Sequence, residues 1–423
     1  MARPRLLDHA VITPCLIAGA GVVAFGLTVA ARKSFAVVKP RAVIEAEDPL
    51  FPKPATVRRQ IRFWERVFYK WPSTTVVVHE SGDTDRIVDV IDYKILAKRA
   101  DKDAPVPRKD REEVTSKYLK RYTMAAARFA AEGEKALKYG AIERRLYEVF
   151  RSDRVGLQRL YAGDIKLRAQ TGLADDFLRA AASAQTYLPY MESVFRQYGV
   201  PTQLSRLPFV ESMFNLRAHS KVGASGIWQF MPDTARNYIY VDHMVDERNS
   251  PIKATRAAAQ FLLENYRELK SWPLAITAYN HGRLGMANAV KKVGTSDIGE
   301  IISRYESPSY GFASKNFYAE FLAAVNTFER LRRDGRLASS ESLAETDAIV
   351  LERPYSLAEL MKNTPLTREL LEQHNPCLLE AAFTKNAERP LPRFYELRVP
   401  RQLARAVKSA LIHLGKKKDY ARR

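Results

Sequence analysis

Residues 207–232 read LPFVESMFNLRAHSKVGASGIWQFMP, and a single acid, Glu211, interrupts the apolar run that opens them. If the helix opened by Pro201 continues to this point, Leu204, Leu207, Pro208 and Glu211 fall at i, i+3, i+4 and i+7. The carboxyl then lies on the stripe that faces the core rather than on the wet face. An apolar wall disfavours the ionised form, raises the pKa and makes the group a proton donor near neutral pH. A structural ion pair with Arg206 or Arg217 explains the stripe equally well, so the acid by itself leaves two readings open.

The neighbours favour chemistry. SGIWQF, residues 225–230, places small residues such as Gly226 where a ligand can approach the backbone. It then offers an aromatic platform, Trp228, and an amide, Gln229, able to bond hydroxyl and acetamido groups. In the later run LAITAYNHG, Ala275, Ala278, Tyr279 and Gly282 share one helical face, which turns the phenol of Tyr279 inward among small neighbours. A buried phenol needs a partner, and orienting Glu211 would supply one, while Asn280 is placed to contact a ligand. Each of these features alone fits packing; the three in this order form a specific pattern.

Punctuation around the pattern divides the chain. Pro189 is expected to open a helix with the stripe Tyr190, Met191, Val194, Phe195 and Tyr198, closed by Gly199 and Pro201. Ser250-Pro251 and Trp272-Pro273 open two more, and a further helix after Ser314 carries Phe317, Phe321, Val325 and Phe328. Residues 172–333 thus read as an all-α domain of ordinary size. Before it, residues 55–171 read as a mainly helical region. Its β-hairpin is formed by TTVVVHE and RIVDVID across Ser81-Gly82-Asp83. After a linker at 334–347, residues 348–400 read as a small strand–helix–helix–strand module, followed at 401–423 by a basic helix and tail. The fold class expected is mainly α, with a helical catalytic domain between a hairpin-bearing extension and a small α+β module.

Composition narrows the setting. With 46% hydrophobic residues the 423-residue chain is globular, and a net charge of +20 calls for an anionic environment. Two cysteines, Cys15 and Cys377, support neither a disulfide framework nor a thiolate metal site, and no metal or cofactor is expected. Residues 1–38 contain AVITPCLIAGAGVVAFGLTVAA, Ala10 to Ala31, without a charge. That length suits either a signal peptide or a membrane anchor, followed by a Pro-rich linker at 39–54. The remainder is expected in the periplasm or cell envelope, anchored or released, where nucleic acid is an improbable ligand.

ESMFN, GASGIWQFMPDTAR and AITAYNHG together resemble the three blocks of the lytic transglycosylase domain of the soluble lytic transglycosylase and goose-type lysozyme-like superfamily, membrane-bound type D in particular. The resemblance covers about Tyr187 to Phe328. It implies a lysozyme-like α fold whose cleft binds peptidoglycan glycan strands. By the same resemblance Glu211 is the catalytic acid/base, and Ser212, Gln229, Tyr279 and Asn280 shape the saccharide subsites. Trp228 departs from the methionine that many relatives carry there. The module at 348–400 resembles a LysM glycan-binding repeat, and a plain capping module fits the same stretch equally well. Protein partners are not legible in the sequence.

The expected reaction is cleavage of the bond between N-acetylmuramic acid (MurNAc) and N-acetylglucosamine (GlcNAc). A hydrolase usually brings two carboxylates. Among the other acids between Pro201 and Gly282, Asp233, Asp246 and Glu247 sit at helix starts. Glu264 and Glu268 lie on a polar helix face, and none has the apolar context of Glu211. One acid suffices if it protonates the leaving oxygen and then deprotonates the sugar's own C6 hydroxyl, closing a 1,6-anhydro ring. The alternatives are a hydrolytic lysozyme-type muramidase and a non-catalytic wall-binding scaffold.

Overall fold

The computed structural model describes residues 48–94, 108–337 and 346–420. The apolar segment from Ala10 to Ala31, the start of the first linker and most of the second lie outside these residues. Among the described residues no helix is long and apolar enough to cross a membrane.

The chain begins with α1 (Ala55–Glu65), which continues as one π turn to Lys70. Strands β1 (Thr75–Glu80) and β2 (Ile87–Asp92) form the expected hairpin, and β3 (Leu167–Thr171) adds to the other side of β1, giving the antiparallel order β2-β1-β3. Three helices, α2 (Arg108–Glu132), α3 (Ala141–Phe150) and α4 (Arg154–Ala162), cover one face of this sheet. The alternation of β1 sorts its side chains: Val76 and Val78 join this helical cluster, whereas Val77 faces the main core. Glu80 at the hairpin end is fully buried between Arg86 (3.0 Å) and Arg159 (2.7 Å).

The central domain is built from α5 (Ala174–Gln197), α6 (Leu207–Glu211), α7 (Pro251–Leu269), α8 (Trp272–His281), α9 (Arg283–Val293), α10 (Ile298–Arg304) and α11 (Phe312–Arg333). Two expectations are corrected here. Pro189 does not open a helix but lies inside α5. The buried file Phe177, Ala180, Ala181, Ala184, Leu188 and Met191 runs straight through it, and that packing offsets the roughly 3 kcal/mol that an internal proline costs. Pro201 starts a 3₁₀ turn, Thr202–Arg206, and α6 follows as a separate five-residue helix. Leu204, Leu207 and Pro208 are nevertheless buried as the stripe requires.

One apolar core joins α1 to the central domain, since Val57, Phe63, Trp64 and Phe68 pack with Phe177, Phe209 and Phe321. The C-terminal module has its own core. Strands β4 (Thr346–Val350) and β5 (Glu396–Pro400) pair antiparallel around α12 (Leu357–Asn363) and α13 (Arg368–His374). Helix α14 (Arg401–Tyr420) packs Ala404, Val407 and Leu411 on the module and carries its helical backbone into the terminal charge run.

Candidate active site

Helix α6 ends on Glu211, and its short length has a cause in the backbone. Met213 and Phe214 hold φ of 50° and 51°, a left-handed turn that stops the helix and sends the chain into the 212–230 loop. Such conformations cost about 1–3 kcal/mol each and persist where surrounding packing over-determines them. Here Phe214 is buried, edge-on to Phe209 at 4.6 Å, and its amide donates to the Pro208 carbonyl.

The loop is pinned to the helices by the residues singled out above, though in roles that differ from those expected. The Ser212 hydroxyl donates to the Ile227 carbonyl at 2.9 Å, and the Tyr279 hydroxyl donates to the next carbonyl, Trp228, at 2.8 Å. Tyr279 therefore satisfies its buried phenol on backbone and not on Glu211, which corrects the expected orienting bond. Gln229, with φ of 49°, turns its amide back onto the carbonyls of Gly226 (2.8 Å) and Ala218 (3.2 Å). The aromatic platform expected of Trp228 is also corrected. Its ring is fully buried, stacked on Phe195, with Nε1 donating 3.0 Å to Thr255, so it anchors the loop from beneath. The partly buried rings around the site are Tyr279, Phe261 at 5.2 Å from it, and Tyr238 beyond. Asn280 is exposed and accepts a 2.8 Å bond from Ser314.

Gly226 has φ of 74°, and a Cβ there would stand 1.9 Å from the Arg248 carbonyl oxygen. The close approach that requires glycine is thus made by the chain itself. Arg248 is a clamp: its guanidinium bonds the carbonyls of Gly223 (2.7 Å) and Phe230 (2.9 Å) and pairs with Asp246. Asp246 in turn donates its amide to the Cys377 carbonyl (2.8 Å), and the Leu379 amide returns a bond to Met244 (2.9 Å). Met244 and Val245 belong to the core of the C-terminal module, so this module buttresses the loop beside Glu211.

Glu211 itself makes no ion pair or hydrogen bond within the described residues. The structural reading offered for it fails, because Arg206 pairs with Glu192 and with Glu329 (3.6 Å). Desolvation, and then the nearby carboxyl of Glu320, push the Glu211 pKa up to about 8. Glu320, on α11 where that helix packs against α6, is itself pushed up to about 8 by desolvation. Burial, with the neighbouring Glu211 charge, also holds the Tyr279 phenol well above its ordinary range.

Glu320 was missed by the sequence reading, which weighed only acids up to Gly282. Its signal was available in NFYAEFLAAV, a lone acid in an apolar run like that of Glu211. The other acids have partners: Asp233 with Arg236, Glu247 with Lys253, Glu264 with Tyr238 and Arg283, and Glu268 with Arg283. In the described residues Glu211 and Glu320 are the carboxyls that desolvation raises to about 8.

Residues 190–302 match the family described as Transglycosylase SLT domain. The match contains Glu211, the pinned loop and Tyr279. Among named proteins, the chain is 26% identical over 212 residues to the membrane-bound lytic murein transglycosylase D of Escherichia coli. That alignment covers 49% of this chain and 45% of the relative, so the chain spans about half the length of the protein it matches. Two solved structures are also similar. The 70 kDa soluble lytic transglycosylase of Escherichia coli is 16% identical, with 49% of this chain and 36% of that one covered and a TM-score of 0.30. An inactive mutant of the Pseudomonas aeruginosa lytic transglycosylase Slt is 15% identical, with 66% and 44% covered and a TM-score of 0.31.

Proposed function

We propose that the chain is a peptidoglycan lytic transglycosylase that cleaves the MurNAc–GlcNAc β-1,4 bond without water and releases 1,6-anhydromuropeptides. The observation that carries this reading is an unpaired carboxyl, Glu211, with its pKa raised to about 8 inside the SLT match. At neutral pH such a group is mostly protonated, as a general acid must be. In the proposed sequence the Glu211 proton goes to the glycosidic oxygen as the C1–O bond breaks. The resulting carboxylate then takes the proton of the C6 hydroxyl while its oxygen closes on C1. Glu211 ends protonated, no solvent oxygen enters the product, and the enzyme is ready for the next turn.

Glu320 supports a second reading, a hydrolytic muramidase in which that carboxylate positions water. The single-acid reading is the stronger one, because a group raised to about 8 is largely neutral at pH 7 and is a poor base or nucleophile there. Digestion of purified sacculi in ¹⁸O-labelled water separates the two. Unlabelled anhydro ends are expected; labelled reducing ends as the primary product would establish hydrolysis and turn attention to Glu320.

The reaction belongs to the cell envelope, and the uncharged run from Ala10 to Ala31 together with the net charge of +20 suits a chain exported toward an anionic wall. An enzyme reporter that works only in the cytoplasm, fused after Lys39, is expected to be inactive; activity there would contradict export.

A further inference from the structure

The two strands of the C-terminal module treat their outer edges differently. In the antiparallel register Ala348 faces Arg398 and Val350 faces Glu396. The Leu351 amide donates to the Tyr395 carbonyl at 3.0 Å, so the odd-numbered residues of β4 bond β5 while the N–H and C=O of Ala348 and Val350 turn outward. On β5 the matching groups of Arg398 are closed by one side chain: the Arg398 amide donates to Asn375 Oδ1, and Asn375 Nδ2 donates to the Arg398 carbonyl, both at 2.8 Å. Among the described residues nothing closes those of Ala348 and Val350. Native sheets usually blunt an exposed edge with proline, lysine or a bulge. The stretch AIVL at 348–351 has none of the three.

A groove of about 600 Å³ runs along this edge. One wall is β4 from Ala348 to Glu352, the other is α14 at Lys408, Leu411, Ile412 and Gly415, and no residue of β5 takes part. The strand wall spans roughly 13 Å and the helix wall about 10 Å, so the two match in length. The Tyr355 hydroxyl donates to the Leu411 carbonyl (3.2 Å) and Arg353 Nη1 to that of Gly415 (3.3 Å), which fixes the helix beside the strand. An open backbone edge facing a wall of side chains is the geometry in which an extended peptide adds a strand. Main-chain bonds then supply affinity, and alternate side chains meet the helix.

The walls also say what such a peptide carries. Val350 and Ile412 are 52% and 63% exposed, an apolar lining left to water. Lys408 is exposed and makes no ion pair among the described residues. Glu352 is the one acid of the walls, against Arg353 and Lys408. Residues Arg401 to Arg423, which supply the helix wall and the chain beyond it, hold eight Lys and Arg against the single acid Asp419. An acidic occupant complements this charge. A second copy of the chain, itself at +20, would set like charges face to face.

We propose that the open edge of β4 docks an extended acidic segment of a partner protein. The segment adds as a third strand, bonds the N–H and C=O of Ala348 and Val350, lays apolar side chains against Leu411 and Ile412, and sets a carboxylate on Lys408. This docking surface stands apart from the transglycosylase reading and does not depend on it.

The probe is an acetylated heptapeptide that alternates glutamate and valine. Beside it are a lysine–valine analogue and a glutamate–valine analogue with every backbone amide methylated. Binding to the full chain is read by fluorescence anisotropy, and exchange of the Ala348 and Val350 amides by hydrogen exchange. The acidic peptide is expected to bind and to slow both amides roughly tenfold or more, and neither analogue is expected to bind. Lys408→Glu is expected to weaken binding roughly tenfold. Ala348→Pro removes an N–H that bonds nothing in the chain, so it should weaken binding by a similar factor at an unchanged melting temperature. If that variant melts lower, Lys408→Glu decides alone. No binding of the acidic peptide, equal binding of either analogue, an unchanged affinity in Lys408→Glu, or binding that leaves the two amides unprotected would overturn the assignment. Protection of those amides without peptide would overturn it as well. A rise with protein concentration would then identify a second copy on the edge, and no rise a segment of the same chain.

Discussion

Glu211→Gln is expected to lower cleavage of sacculi by roughly 10²–10⁴-fold, the usual contribution of a positioned proton donor, and to raise the melting temperature above neutral pH. The second half follows from linkage. Glu211 has a folded pKa of about 8 against an ordinary 4.5, so between those values the folded chain holds a proton that the unfolded chain releases. Stability from this group is complete below about pH 4.5 and falls as pH rises toward 8. Glutamine keeps size and polarity and cannot ionise, so the variant and wild type should melt together near pH 4.5 and diverge by pH 8, the variant higher. Near-wild-type turnover would remove Glu211 from the mechanism, whatever the melting curves show. Glu320→Gln serves as the companion. Removing the neighbouring carboxyl lowers the Glu211 pKa, so the alkaline limb of kcat/KM should move to lower pH with the enzyme still active. An unmoved limb would show the two carboxyls to be uncoupled.

Gly226→Ala is expected to cost about 3 kcal/mol or more, the sum of a strained positive φ and overpacking against backbone, and to abolish most activity. The new methyl would meet the Arg248 carbonyl at 1.9 Å, and that carbonyl cannot retreat. Its residue is held by Asp246, Gly223 and Phe230, and Asp246 is held by the C-terminal module. The loop must move instead, pulling the Ile227 and Trp228 carbonyls off Ser212 and Tyr279. Gly223→Ala is the control, since its φ is 94° but nothing lies within 4 Å of the added Cβ. Only the backbone cost of about 1–2 kcal/mol is expected there. If the two alanine variants melt alike, the clamp has been misread.

Much of this protein is local, and what is local could be read from residue order. Helix starts at Ser250-Pro251 and Trp272-Pro273, the hairpin around Ser81-Gly82-Asp83 and the stripe that buries Glu211 follow from capping, turn chemistry and periodicity, which act over a few residues. The three motif blocks likewise marked the domain that the family match covers. Pro189 shows the limit even of local rules, because a core drawn from distant segments overrode a residue that should begin a helix.

Partnership was decided by tertiary structure alone. Glu320 lies 109 positions after Glu211, and only the packing of α11 on α6 brings its charge to bear. Trp228 looked like a sugar platform because an aromatic ring beside glycines suits either surface or core, and only the fold shows Phe195 and Thr255 closing over it. Tyr279 was rightly placed inward, but which acceptor it meets depends on where the 212–230 loop comes to rest, and a C-terminal module more than a hundred residues away helps to hold that loop. Sequence determines which side chains must be buried and which cannot ionise freely; the closure of the chain decides what each of them touches, because contacts between segments carry no periodic trace in either one.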